Sequence, residues 1–451
     1  MRGKQESLEI AARALQACRA DEAQAVLCLR RLETTNYADN HIGQGTSEES
    51  ESMYLRVRHA GREVWGITPG SDEASLARLV EDLDRVARRA PPVRALPPLS
   101  GPQQYPVTQP YCPLSALWTP EQRAETVGLI VEQARGNRLS ASGVYRTGVR
   151  QVAIANTAGL QAFESRTDTG LHAIVVGAGG SGYGAAYARD VRQINPFDVA
   201  EQAISKALMG AVPTTIEPGE YEVVLEQNAV ADVLRCLRPG FGARAVQEYQ
   251  SVLSGNAGQE VTGLLVTLTD DPQSLDGLHS AFDFEGTPRQ PVEILRGGVA
   301  VGPVHDTTTA ASAGTVSTGH AAETSADRVG EPVASSIFME HGEAELENMI
   351  GAVRRGLLVS RLGGLRVIDP VQALVSGETQ HGTFLIENGV LSRPVAALRF
   401  EEHLLDALRG IEQVSRERKL VVDNAVGEPR CIIVPALHLR RFRFVGGVRP
   451  W

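Results

Sequence analysis

No apolar run in this 451-residue sequence reaches the roughly 18 to 20 residues that a bilayer-spanning helix requires, which excludes a membrane helix from the reading. The opening residues, MRGKQESLEI, lack the apolar stretch of a secretory signal, so a cytoplasmic setting is expected. Cysteine is scarce: Cys18, Cys28, Cys112, Cys236 and Cys431 are scattered and never in CxxC spacing. That argues against a disulfide framework and against a cysteine-rich zinc site, and leaves reduced thiols as the expectation. No block of five or more Lys or Arg occurs and the formal net charge is -10, so nucleic-acid binding through phosphate neutralisation is not expected. Histidine offers no metal pattern, because His305, His320, His341, His381, His403 and His438 never fall at HxH, HxxxH or HExxH spacing. A G-x-S-x-G elbow is also missing, so spacing assigns no serine nucleophile.

What is present is an ordinary globular balance, 42% apolar and 22% charged, in a chain long enough for two or three cores. Residues 1–89 read as an α+β unit. Leu8, Ala11, Ala12 and Leu15 set a helix over 7–19, and strand-like stretches follow at 23–34 and 53–68, with a turn at Ala60-Gly61. A second helix spans 72–89 on Leu76, Leu79, Val80, Leu83 and Val86, with Ser71 as its expected N-cap. Proline then dominates 90–118, an extended connector in which neither helix nor inner strand should persist. Residues 119–215 form a strand-rich middle part: a helix over 119–135, Gly-punctuated strands over 143–190 and a helix over 198–209. The remainder, 216–451, reads as β-rich with antiparallel sheets, its short strands including 264–269, 291–295, 299–305, 383–387 and 431–434. The run Arg440-Arg441-Phe442-Arg443 alternates as the polar face of an edge strand would.

Several motifs dissolve under their plainer readings. Gly177 to Gly182 spells G-x-G-x-x-G after an apolar run, but a dinucleotide site needs that loop to open a helix. Tyr183, Gly184 and Tyr187 follow, so a hairpin turn is the better expectation. The acids at Asp270-Asp271 and at Asp283 and Glu285 lie among turn formers and read as loops. Glu343 and Glu345 suit the start of a helix, where the macrodipole favours carboxylates. Ser317-Thr318-Gly319-His320 also reads as a loop, yet its small polar setting makes Ser317, Thr318 and His320 the candidate peptide-binding side chains.

The most informative stretch is 223–246, VVLEQNAVADVLRCLRPGFGARAV. A strand at 221–225 leads into a helix with Val230, Val233, Leu234 and Leu237 on one face. Arg235 projects about 140° from Val230, away from that face, and Asp232 lies three residues earlier to pair with it.

Segments spread over the chain carry a resemblance: Ala20-Asp21-Glu22-Ala23, Asn36 to Ile42, Asn156 to Leu160, Phe284 to Pro288, Ser317 to His320 and Leu385 to Gly389. In their order they resemble the TldD/PmbA metallopeptidase family, and within it the TldE (PmbA) branch. The resemblance implies an N-terminal α/β domain followed by a β-rich C-terminal domain. In that family a TldD-type subunit holds zinc through HExxxH, and a TldE-type subunit without a metal site pairs with it to act on unstructured peptides. Here Arg235, Cys236 and Gly240 stand at the motif's histidine, glutamate and histidine positions within the helical segment 226–240. The implied function is a non-catalytic TldE-like subunit with no cofactor of its own, partnered by a zinc-bearing TldD-like chain and contributing to peptide binding. An independently active hydrolase with an unorthodox site and a homodimeric binding or scaffold protein stay open.

Overall fold

The computed structural model describes residues 1–93, 96–106, 110–209, 213–323, 330–423 and 428–447. Helix α1 (Lys4–Ala17) buries Ile10, Ala11 and Ala14 against a sheet that begins with β1 (Glu22–Ala38), β2 (His41–His59) and β3 (Arg62–Pro69). The Ala60-Gly61 turn between β2 and β3 takes positive φ at both residues, 47° and 73°, as a tight hairpin requires. Helix α2 (Glu73–Ala87) places Leu76, Leu79, Val80 and Leu83 on the same core. Its N-cap is Asp72, whose carboxylate accepts from the Ser75 N–H at 3.0 Å, and not the expected Ser71. A carboxylate there also meets the positive end of the helix dipole.

The connector holds a single short helix, α3 (Pro113–Ala116), and no strand among its described residues. Residues 94–95 and 107–109 of that connector lie outside the described residues. It acts as a strap: the Pro97 carbonyl accepts from Arg58, while Tyr105 donates to the Gly286 carbonyl at 2.7 Å and packs on Phe282. Helix α4 (Pro120–Gly136) opens with a reciprocal cap between Thr119 and Gln122. Strands β4 (Ser140–Asn156), β5 (Gln161–Val176) and β6 (Ser181–Ala188) follow. Because β1 pairs with both β2 and β4, all six strands form one antiparallel sheet in the order β3-β2-β1-β4-β5-β6. The G-x-G-x-x-G stretch is the turn between β5 and β6, closed by the Gly177 N–H on the Gly180 carbonyl, and no helix follows it. Helix α5 (Pro196–Leu208) lies so close to β6 that a Cβ at Gly182 would sit 2.0 Å from the Ala203 carbonyl oxygen.

The second half starts with β7 (Gly219–Leu225), α6 (Gln227–Leu237) and the short α7 (Ala243–Gln247). Small elements follow: β8 (Leu268–Asp270), β9 (Val292–Arg296), β10 (Val299–Ala300), α8 (Thr307–Ala313), β11 (Ser336–Met339) and α9 (Leu346–Ala352). Long strands close the chain: β12 (Arg355–Asp369), β13 (Leu374–Glu387), β14 (Val390–Pro394) and β15 (Leu398–His403), then α10 (Leu404–Arg409), β16 (Ile411–Asp423) and β17 (Arg430–Gly447). They build an 11-stranded sheet that is mixed, since β7 runs parallel to β12 and β11 parallel to β17. The expected antiparallel pairing holds for the other strand pairs of this sheet, and these two parallel pairs add to it. Strand β7 also pairs with β17, so the path from β17 through β15, β13 and β12 returns on itself around a core into which α6 packs.

Four local expectations change. The strand read over 264–269 shrinks to β8, and that over 299–305 to the two residues of β10. The acidic helix begins at Leu346, with Glu345 at its cap position. The basic run is not on an edge. Arg440, Arg441 and Arg443 are exposed and Phe442 is buried, but β17 pairs with β7, β11, β15 and β16. Alternation reports the faces of a strand and is blind to its neighbours.

Candidate functional site

Helix α6 stands where the sequence pattern places it. Val230, Val233, Leu234 and Leu237 are buried, each worth about 1.5–3 kcal/mol against exposure. The helix ends at Leu237 and tightens into a 3₁₀ turn over Arg238–Phe241, so Gly240 lies beyond its last α-helical turn.

The polar side of α6 carries charge in place of ligands. Arg235 Nη1 donates to Asp232 at 2.8 Å, the pairing expected from their spacing. Asp232 is buried; its second oxygen accepts the Leu362 N–H at 3.1 Å and faces Arg361 Nε at 3.8 Å. Burial pushes the Asp232 carboxyl up, while Arg235 and Arg361 draw it back down. One turn on, Arg238 is only 3% exposed, with Nη1 on Asp423 at 3.1 Å, and Arg235 Nε faces the same carboxylate at 3.7 Å. Burial lowers the Arg238 guanidinium to about 10, with Arg430 and Arg235 adding to the effect against Asp423. Burial and Asp232 push the Cys236 thiol up to about 11, so it is neutral near pH 7. Cys236 and Gly240 line a cavity of 430 Å³ with Leu237, Val252, Val333 and Val375.

A zinc ion needs neutral imidazoles or ionised thiolates and carboxylates as donors. Arg235 offers a fixed cation, Cys236 a protonated thiol and Gly240 no side chain. These residues do not fit the metal that the HExxxH pattern would hold.

The other candidates are tied into the fold by hydrogen bonds. His320 is fully buried, bonded through Nδ1 to Thr318 Oγ1 at 2.9 Å and through Nε2 to Asp270 at 3.2 Å. Ser317 and Thr318 hydroxyls both donate to the His305 carbonyl. The segment therefore braces β8 and β11 through Asp270, whose other oxygen accepts the Ser336 N–H. His320 is closed off from solvent, whereas Ser317 and Thr318 are partly exposed. Asp283 and Glu285 do sit on turns, but inside the molecule. Asp283 accepts three backbone N–H groups, from Glu285, Thr287 and Ala321, and Glu285 pairs with Arg56 at 3.1 Å. Burial and the neighbouring Glu285 push the Asp283 carboxyl well above the usual carboxylate range.

Sequence reasoning missed Arg238 and its partner Asp423. Arg238 was within sight, three residues after Arg235 on the same helical face, but its acidic partner lies on a distant strand. It also missed a second ionic knot at the seam between the halves, where Lys206 of α5 pairs with buried Glu226 at 2.5 Å beside a cavity of 530 Å³. Among the described residues no helix is long and apolar enough to cross a membrane, and the five cysteines are free thiols.

Comparison with known proteins follows the same lines. Residues 218–446 match the PmbA/TldA metallopeptidase C-terminal domain and residues 116–210 the corresponding central domain. A metalloprotease TldD homolog of Haemophilus influenzae is 24% identical over 226 residues, 49% of this chain and 46% of that protein. A metalloprotease of Methanothermobacter thermautotrophicus is 23% identical over 206 residues, 45% of this chain and 44% of that one. The matched segments thus span less than half the length of these curated relatives. In fold, the chain is similar to TldE from Thermococcus kodakarensis, with a TM-score of 0.88 at 20% identity over 98% of this chain and 100% of that one. A putative modulator of DNA gyrase from Thermotoga maritima gives 0.86 at 20% identity over 97% and 99%. With its C-terminal match alone spanning half of its length, the protein belongs to the PmbA/TldD metallopeptidase family.

Proposed function

We propose that this chain is the metal-free, TldE-like subunit of a two-chain zinc peptidase, working in the cytoplasm beside a TldD-like partner that carries the HExxxH site. One observation carries the reading. At the helix where a peptidase of this family needs two imidazoles and a carboxylate, Arg235 is tied to Asp232, Cys236 is a half-buried neutral thiol and Gly240 is bare. The fold around that helix is kept while the chemistry is missing, as expected of a subunit retained for shape. Its work would be to complete the chamber and help hold extended peptide, whose main chain can be bonded whatever its sequence.

The test is co-expression with an HExxxH-bearing relative encoded nearby, followed by peptidase assay of each chain and of the pair on an unstructured peptide. Turnover in the pair alone is the expected result. Metal-dependent turnover by this chain on its own would reject the reading.

A further inference from the structure

Arg238 poses a problem that its known contacts do not solve. Its side chain is 3% exposed, yet only Nη1 is used, on Asp423. Among the described residues Nε and Nη2 have no hydrogen-bond partner. Those two atoms form one edge of the guanidinium, the fork whose parallel N–H bonds match the two oxygens of a carboxylate. A buried donor left unpaired costs about 1–3 kcal/mol, so a whole unpaired edge calls for an explanation. Beside it, Arg235 is partly exposed, and its Nε makes no hydrogen bond among the described residues, facing Asp423 only at ion-pair distance, 3.7 Å. Among the described residues the acids paired with Arg235, Arg238 and Arg361 on this side of the helix are Asp232 and Asp423, and Arg430 adds a further positive charge near Arg238. A second anion would correct both defects together.

We propose that the Nε–Nη2 edge of Arg238, with Arg235 at its mouth, binds a carboxylate of an extended peptide. Arg235 stands at the first position of the missing motif, so the carboxylate would lie beside the helix that carries the metal site in a catalytic relative. Arg235 is the solvent-facing member that first meets the ligand, and Arg238 behind it supplies the bidentate fork. Asp423 fixes the far corner of Arg238 and orients that fork. The inference rests on the reading of the chain as a peptide-handling subunit and gives that role a chemical preference.

The probe is an N-terminally labelled octapeptide of Gly, Ser and Ala, made with a free C-terminal carboxylate, as its C-terminal amide, and as an amide with one internal Glu. Fluorescence anisotropy with the intact chain should show the carboxylate forms binding about tenfold more tightly than the plain amide, the step one charge-assisted bond supplies. Comparison of the terminal and the internal carboxylate identifies which source the fork takes. Arg238→Lys keeps a charge for Asp423 but removes the fork, and should bring acid and amide close to parity. Arg235→Gln, which leaves Asp232 its Leu362 N–H and Arg361, should shrink the preference severalfold. Equal affinity for acid and amide in the unmodified chain, including no binding by either, overturns the proposal, as does an unchanged preference in both variants. Turnover by the mixed subunits scores the peptidase reading separately, so a working pair with no acid preference would sink this site alone.

Discussion

Arg235 and Arg238 put two guanidinium groups beside one carboxylate, Asp423, on the polar side of α6. Substituting single residues there is not symmetrical with restoring a metal site. The triple variant Arg235→His, Cys236→Glu, Gly240→His spells the zinc motif, and space is not its first obstacle, since a Cβ at Gly240 approaches nothing nearer than Ser251 Oγ at 3.4 Å. The obstacles are charge and geometry. Arg238 and Arg430 stay beside the site, and position 240 lies past the end of α6, in the 3₁₀ turn. The nearby carboxylates are already engaged, Asp232 by the Leu362 N–H and Arg361, and Asp423 by Arg238, so neither is set to orient the new imidazoles. The variant should therefore bind zinc weakly and gain no peptidase activity; one tightly held zinc per chain by elemental analysis would contradict this. The lack of a metal motif was legible because it needs only the residues within one window, 235–240. The arginine site was not, because Asp423 and Arg430 reach Arg238 only through the packing of α6 on β16 and β17. His320 shows the same limit in reverse: a polar neighbourhood in sequence concealed a histidine sealed against Asp270.

Helices were readable from apolar spacing and caps, since their bonds are local. Strands were readable where one face is buried, and less so elsewhere. The first part of β2, from His41 to Ser50, is exposed at every residue and carries no burial alternation, so only its pairing with β1 makes it a strand. The interior place of β17 was hidden for a related reason, because its partners come from four separate parts of the chain. Glycines mark another element-scale constraint, the approach of α5 to β6. Gly182→Ala would drive a methyl against the Ala203 carbonyl, and Gly184→Ala against that of Val199 at 2.1 Å. Backbone must move to relieve either, so each should cost at least about 1–3 kcal/mol in urea unfolding. Gly128→Ala is the contrast: it sits inside α4 with nothing within 4 Å of the added carbon and should be stabilising by about 0.5–1 kcal/mol. Equal effects at positions 128 and 182 would show that the α5–β6 contact is looser than its geometry implies.

Across the whole molecule, the two halves meet over a buried ionic seam. Strands β4 and β5 contribute Arg150, Glu164 and Arg166, and the second half contributes Arg289, Glu323 and Glu428. Glu428 sits at its centre, accepting from Arg166 at 2.8 Å and from Arg289 at 3.0 Å. Burial alone would push its carboxyl up, but Arg289, Arg166 and Arg150 outweigh that and hold it well below the usual carboxylate range. A group depressed on folding stabilises above its unfolded pKa, about 4.3 for glutamate, and that contribution fades as pH falls toward the folded value. At neutral pH the full contribution is present. Glu428→Gln removes one partner from a buried knot and leaves three guanidinium groups short of an anion, so it should cost about 3–5 kcal/mol there. The same variant should also flatten the acid limb, because the group that titrates is gone. Thermal melts of the intact chain and of Glu428→Gln from neutral pH down to below pH 4 should therefore converge, the gap being widest at neutral pH. A gap that is constant across the series would mean that Glu428 acts through packing alone, and that the two halves are joined by something other than charge.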